Sequence, residues 1–453
     1  MKKLFGTDGV RGSANAELTP ELAFNLGRAG AHVLTKANNA HPNILIGTDS
    51  RISGDMLEAA LTAGMCSVGA NVIIAGVVPT PAIAYLTRKQ GLDAGVMVSA
   101  SHNAFGDNGI KFFSGGGFKL RDELEDEIEN IILNNKTDLL PRATSANVGR
   151  RIDTNTTANN YISYLKNTLN GLEFTGMKIA LDCANGATSY VAPELFERLG
   201  AELVVINNKP NGININANCG STHVEGLISI VKEHNCNIGV AFDGDGDRLI
   251  CVDETGAIID GDHIMAICGN HLKSINRLPQ NTIVATVMSN LGLFEMGKKN
   301  GITIEQTKVG DRYVLERMLD GGFKLGGEQS GHIIFSEYAT TGDGVLSALM
   351  LITAMKANGT KLSELASVME KFPQILVGAP VPTDRKNMYE SNSYIQNRIQ
   401  ELERKYSGGA GRVLIRPSGT EPLVRVMIEG KNIDEITADA KILAADIERL
   451  SHK

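Results

Sequence analysis

The residues best suited to chemistry sit in two short loops, each following an apolar run. One is Asp243-Gly244-Asp245-Gly246-Asp247-Arg248, directly after Ile238-Gly239-Val240-Ala241-Phe242. Three carboxylates at alternate positions, with glycines between them for tight curvature, can converge on one hard cation, and their mutual repulsion makes a cation-free cluster costly. A calcium EF-hand does not fit, because Arg248 stands where that loop needs glycine and a strand precedes it in place of a helix. Magnesium suits the set, since it takes a few carboxylates plus a phosphate oxygen or water. The other loop is Ser99-Ala100-Ser101-His102-Asn103, after Val96-Met97-Val98. Ser101 is the candidate nucleophile; it needs an adjacent base or cation, for which His102, Lys111 and Arg11 are the candidates. A phosphate carried on Ser101 would supply a further ligand to the magnesium. Ser-His-Asn equally suits a plain turn.

Three further motifs are polar and glycine-rich. Gly326-Gly327-Glu328-Gln329-Ser330-Gly331-His332 offers a carboxylate, a hydroxyl and an imidazole that can hydrogen-bond sugar hydroxyls, although a turn closing a hairpin is as natural a reading. Arg416-Pro417-Ser418-Gly419-Thr420-Glu421-Pro422 has the parts of a phosphate cradle, with Arg425 as a second cation, and an ordinary Pro-Ser-Gly turn is the plainer alternative. Gly6-Thr7-Asp8-Gly9-Val10-Arg11-Gly12 lacks the spacing and the lysine of a P-loop; Arg11 is expected to face the phosphate on Ser101.

The elements that must position these loops repeat. Residues 44–49 to 69–74, 179–182 to 200–205, and 283–286 to 301–304 each read as strand, helical segment and glycine-led second strand. Such units imply parallel strands, and weak self-similarity at a period beyond 100 residues implies related domains in place of a solenoid. Residues 134–151 read as a linker, 253–256 as a turn before a helix at 263–272, and the proline-rich 371–386 as a second linker. Beyond it, 389–406 and 434–450 read as helices around strands at 413–415 and 424–428. The expected architecture is α/β, with three related domains of mixed sheets plus a smaller C-terminal α+β domain. The boundaries are 1–150 (serine loop), 151–255 (metal), 256–372 (sugar) and 373–453 (phosphate).

A chain of 453 residues with a formal charge of −7 offers no lysine or arginine block for nucleic acid or an anionic membrane. The longest apolar window, 345–355, falls short of the ~20 residues that span a bilayer. No apolar leader core follows Met-Lys-Lys-Leu-Phe, so a cytoplasmic protein is expected. The six cysteines show no CxxC pairing and read as reduced, buried thiols, with neither zinc nor disulfides.

Together and in this order, GTDGVRG, SASHN, DGDGDR, GEQSGH and RPSGTEP closely resemble the α-D-phosphohexomutase superfamily over essentially the whole chain. That resemblance implies four domains around a central cleft and a phosphoserine enzyme with one Mg2+ per chain. It implies a phosphate on Ser101; Asp243, Asp245 and Asp247, with that phosphate, on the metal; and Lys111 assisting proton transfer. It further implies Glu328, Ser330 and His332 on the sugar, and Arg416, Ser418, Gly419, Thr420 and Arg425 on the non-transferred phosphate. The implied activity is interconversion of glucosamine 6-phosphate and glucosamine 1-phosphate through a 1,6-bisphosphate, feeding UDP-N-acetylglucosamine and cell-wall synthesis, with glucose or mannose phosphates as rival substrates. A homodimer is the expected assembly. Ala104 departs from the pattern, since relatives usually carry proline there, and a less rigid serine loop is expected.

Overall fold

The computed structural model describes residues 4–6, 8–35, 41–418 and 422–451. The chain divides into two compact units, Met1–Val287 with Glu305–Ala366, and Met288–Ile304 with Ser367–Lys453.

The first unit repeats one strand plan. In the first sheet Ala94–Val98 lies parallel to Asn43–Thr48, which lies parallel to Asn71–Val77, while Asp107–Ser114 returns antiparallel beside Ala94–Val98. In the second sheet Ile238–Phe242 lies parallel to Lys178–Asp182, itself parallel to Glu202–Ile206, and Leu249–Asp253 returns antiparallel. In the third, Leu325–Gly327 runs parallel to Thr282–Thr286 and Ile333–Phe335 returns antiparallel. An antiparallel return can follow a short loop, whereas a parallel one needs a crossover. The loops bearing Ser101, the three aspartates and Glu328 therefore occupy the same place in three sheets, at the carboxyl end of a strand that has parallel partners, where open α/β sheets bind ligands.

The strands that carry the chemistry are buried on both faces, which explains their unbroken apolar runs. Every residue of Ala94–Val98 and of Ile238–Phe242 is buried. Full burial of a valine such as Val96 or Val240 stabilises by about 2 kcal/mol, so each loop hangs from a strand that does not shift.

Two stretches read as linkers are built into the fold. Within 134–151, the Ala143 and Gly149 amides donate to the carbonyls of Ser67 and Cys66, and Arg151–Asp153 then adds a seventh strand to the first sheet. Within 371–386, Gln374–Pro380 is a strand pairing with Leu423–Gly430 along its whole length. It lies at the sheet's edge, where a terminal proline costs little. The second unit thus has a three-stranded sheet, with Leu423–Gly430 also paired to Gly411–Pro417, under the helices Ser393–Lys405 and Ile433–Ser451. The helix read over 389–406 breaks at Asn392, whose side chain caps Ser393–Lys405 by accepting from the Tyr394 and Ile395 amides. Also in this unit is Leu291–Asn300, whose first amide donates to the buried Glu429 carboxylate, with the Arg412 guanidinium 5.5 Å over the Phe294 ring. All six cysteines are unpaired and five are buried. Among the described residues, no helix is long and apolar enough to cross a membrane.

Candidate active site

Ser101 has φ 53° and is 1% exposed. Its hydroxyl donates to Asp243 Oδ2 at 2.6 Å, while His102 Nδ1 stands 3.5 Å away. Burial, helped by Arg248 and Arg11, pushes His102 down to about 4. The imidazole is therefore neutral at pH 7, and the closer partner of the hydroxyl is a carboxylate.

Asp243, Asp245 and Asp247 place one carboxylate oxygen each within 4.8 Å of one another, all three side chains buried. Burial and the charges of Asp247 and Asp245 hold the Asp243 carboxyl well above its usual range. Asp245 Oδ1 and Asp247 Oδ1 are buried without a hydrogen-bond partner. Buried acceptors of this kind are costly unless something positive meets them. An oxygen-seeking divalent cation fits that set. The loop is tied down around it: Arg248 N donates to Asp243 Oδ1, and Thr80 donates through its amide to the Asp245 carbonyl and through its hydroxyl to Asp245 Oδ2.

Lys111 lies under the cluster, 2.8 Å from Asp245 Oδ2, 2.9 Å from Asp8 Oδ2 and 3.9 Å from Asp247 Oδ2. Burial alone would lower its pKa; Asp245, Asp8 and Asp247 outweigh burial and hold it above the usual lysine range. Lys111 thus stands as a cation held in its charged form by those carboxylates, not as a free base. Arg11 pairs with Asp8, which also meets Lys119, and Lys119 reaches on to Asp311, at 2.5 Å from each carboxylate. His332 closes the chain, Nδ1 at 3.5 Å from Asp247 and Nε2 at 3.4 Å from Asp311. The Gly342 amide also meets Nε2 at 3.0 Å, and although burial alone would lower the imidazole pKa, Asp247 and Asp311 outweigh it and raise it above the ordinary value. His332 is 3% exposed and committed to these partners.

Glu328 accepts from the Gly310 amide at 3.1 Å and is half-buried, and Ser330 is exposed in the same turn. In the second unit, Arg416 and Arg425 face each other across the sheet register. Burial and then the Arg425 charge lower the Arg416 pKa, and its buried Nε has no partner. Lys386 Nζ donates to the Ser418 carbonyl at 2.8 Å. Two arginines paired across neighbouring strands have the chemistry to hold an anion. Gly419 and Thr420 lie outside the described residues.

Sequence reasoning missed Asp8, Lys119 and Asp311 as a connected network, and it missed what holds the serine loop. Arg51, 3% exposed, donates to the carbonyls of Ser101, Asn103, Ala104 and Asp107 and to the Asp49 carboxylate. Asp49 in turn accepts from Ser99 Oγ, which accepts from the Ser101 amide. Residues 49–51 follow the parallel strand Asn43–Thr48, so the carboxyl-end rule that singled out Ser101 pointed to them as well. The Arg51 contacts hold the loop at Ala104, where the sequence predicts a less rigid backbone.

Family models described as phosphoglucomutase/phosphomannomutase match four successive stretches: alpha/beta/alpha domain I over 2–138, domain II over 159–256, domain III over 260–372 and the C-terminal domain over 359–445. A phosphoglucosamine mutase of Caldicellulosiruptor bescii is 57% identical over 454 residues, covering 100% of both chains, and one of Ruminiclostridium cellulolyticum is 58% identical over 452 residues with the same coverage. The chain belongs to the phosphoglucosamine mutase family of α-D-phosphohexomutases. A solved phosphoglucomutase/phosphomannomutase family protein from Burkholderia thailandensis shares the fold, with TM-score 0.79 and 23% identity, over 98% of this chain and 97% of that one. The Aspergillus fumigatus N-acetylphosphoglucosamine mutase solved with GlcNAc-6P and magnesium matches at TM-score 0.69 and 19% identity, over 99% and 96%. Membership of the phosphoglucosamine mutase family disfavours the glucose and mannose phosphate rivals.

Proposed function

We propose that this chain interconverts glucosamine 6-phosphate and glucosamine 1-phosphate, with Ser101 carrying the phosphoryl group between the two ends of the sugar. The observation that carries this reading is the Ser101 hydroxyl held 2.6 Å from a carboxylate of the buried three-aspartate cluster. In the forward direction O1 of the 6-phosphate attacks the phosphorus on Ser101. The P–Oγ bond breaks and a P–O1 bond forms, and the protons balance through Lys111, which gives one to the serine oxygen and takes up the one O1 releases. The 1,6-bisphosphate then offers its other end: a P–Oγ bond forms on Ser101 as the P–O6 bond breaks, the serine proton is taken up by way of Lys111 and one is given to O6, and glucosamine 1-phosphate leaves.

Magnesium held by Asp243, Asp245 and Asp247 would draw negative charge from the transferring phosphoryl oxygens. An esterified Ser101 has no proton to give Asp243, so that carboxylate gains an oxygen for the cation. Arg11 adds positive charge beside it. Glu328 and Ser330 face the sugar, and His332, engaged as it is, steadies Asp247. Arg416, Ser418, Gly419, Thr420 and Arg425 hold the phosphate that is not being transferred. The domain boundaries 1–150, 151–255, 256–372 and 373–453 assign one task to each segment.

The test is turnover of glucosamine, glucose and mannose 6-phosphates by one purified sample with magnesium. Glucosamine 6-phosphate should give the 1-phosphate fastest. Turnover of the glucose or mannose ester alone would overturn the substrate, and release of inorganic phosphate in step with substrate loss would make the protein a phosphatase.

A further inference from the structure

Ser101 is an ordinary L-residue at φ 53°, a left-handed conformation that L side chains rarely adopt and that persists only where surrounding groups over-determine it. Arg51 holds the loop from one side, its Nη2 at 2.8 Å from both the Ser101 and Asn103 carbonyls. The same two carbonyls accept from Asn216 Nδ2, at 2.9 Å each, so both have two donors. Asn216 arrives from more than 100 residues away in sequence. Its backbone, at φ 58°, is fixed by its own amide donating to the Ala184 carbonyl at 2.9 Å. Room for its amide exists because residue 244 is glycine: a Cβ there would lie 2.6 Å from the Ser101 carbonyl oxygen and 2.7 Å from Asn216 Nδ2.

We propose that Asn216 is a positioning residue for the nucleophile. Its side-chain amide locks the Ser101 and Asn103 carbonyls against Arg51, so neither peptide can turn without breaking two hydrogen bonds, and Ser101 Oγ stays aimed at Asp243. The proposal rests on the phosphoserine reading only for its effect on turnover. Asn216 is 9% exposed and touches the loop through its backbone carbonyls, so its loss should act on the transfer step and leave substrate binding largely alone.

Two variants of the full chain separate donation from space-filling. Asn216→Gly accepts the left-handed backbone and removes the donor; Asn216→Asp keeps shape and backbone but turns a carboxylate on two carbonyl oxygens. We expect Asn216→Gly to melt near the wild-type temperature and Asn216→Asp below it, with KM for glucosamine 6-phosphate within about twofold in both. Displacement of a reacting group costs up to ~100-fold in rate, so kcat should fall by about tenfold or more in Asn216→Gly and further in Asn216→Asp. Amide hydrogen exchange in residues 99–107 should quicken in both. Unchanged kcat, or Asn216→Asp more active than Asn216→Gly, would overturn the lock. Should Asn216→Asp not fold, Asn216→Gly decides alone. If the wild type itself does not turn over hexose phosphates, the proposed function fails separately, and exchange still judges the lock: unaltered exchange in Asn216→Gly overturns it.

Discussion

Lys111 Nζ and Asp245 Oδ2 meet at 2.8 Å with both side chains almost wholly out of solvent. Removing one partner of a buried pair leaves the other uncompensated, at a cost of about 3–5 kcal/mol. Lys111→Met leaves Asp245 with the Thr80 hydroxyl but no cation, whereas Asp8 keeps Arg11 and Lys119 and Asp247 keeps His332. We expect a large loss of thermal stability in chelator, partly restored by magnesium, with a greater rise on adding metal than the wild type shows. Equal melting temperatures for the two proteins in chelator would refute this.

Asp245→Asn removes one of three carboxylates while Thr80 can still bond the side chain. The magnesium concentration for half-maximal activity should rise on the order of tenfold or more, with activity partly recovered at high metal. A magnesium titration that superimposes on the wild-type curve would exclude Asp245 as a ligand.

Ser101→Ala deletes one buried hydroxyl from the strained loop. Mutase turnover should drop by roughly 10³-fold or more with the fold retained. Intact mass should show a phosphate on part of the wild type and none on the variant. Near-normal turnover would end the phosphoserine mechanism.

Asp343 caps the helix Gly344–Asn358, accepting from the Leu346 amide at 2.9 Å and from the Tyr161 hydroxyl at 2.6 Å. Burial lifts its carboxyl to about 6 against those hydrogen bonds. The folded state therefore binds this proton more tightly than the unfolded chain does. Its contribution is complete below about pH 4 and is lost as pH rises through about 6, a change on the order of 3 kcal/mol. Asp343→Asn keeps a capping oxygen and does not titrate, so relative to the wild type it should gain stability between pH 4 and 7. Chemical denaturation of both proteins across that range is the check; a constant difference would contradict it.

Arg416→Ala takes the guanidinium from its place opposite Arg425. KM for glucosamine 6-phosphate should rise, and 1,6-bisphosphate should escape more often, while phosphate on Ser101 persists. Steady-state kinetics with chromatography of released bisphosphate would show it, and unaltered values for both would return the RPSGTEP segment to the status of a turn.

The three aspartates and Ser101 were legible because their chemistry is local: alternate carboxylates, or a small polar loop at the end of a buried strand, need few neighbours to be recognised. The repeated strand-helix-strand units were legible for the same reason, and Asn43–Thr48, Lys178–Asp182 and Thr282–Thr286 lie where apolar runs placed them. Lys119, Asp311 and Asn216 carry no such mark. Lys119 finds Asp311 across 192 positions, and Asn216 finds Ser101 across 115, distances over which no periodicity speaks. The strand Gln374–Pro380 was hidden by composition, since prolines signal a linker unless the strand lies at an edge.

Leu291–Asn300 belongs with a sheet whose central strand, Leu423–Gly430, is more than a hundred residues further along. During synthesis that helix leaves the ribosome well before its partners exist. At about 5–20 residues per second the wait is on the order of ten seconds. Throughout it, the Leu291 amide lacks the Glu429 carboxylate and the Phe294 ring lacks the Arg412 guanidinium. The last fifth of the message thus sets when the middle of the chain can finish folding, and a ribosome stalled late would leave that segment without these partners far upstream of the stall.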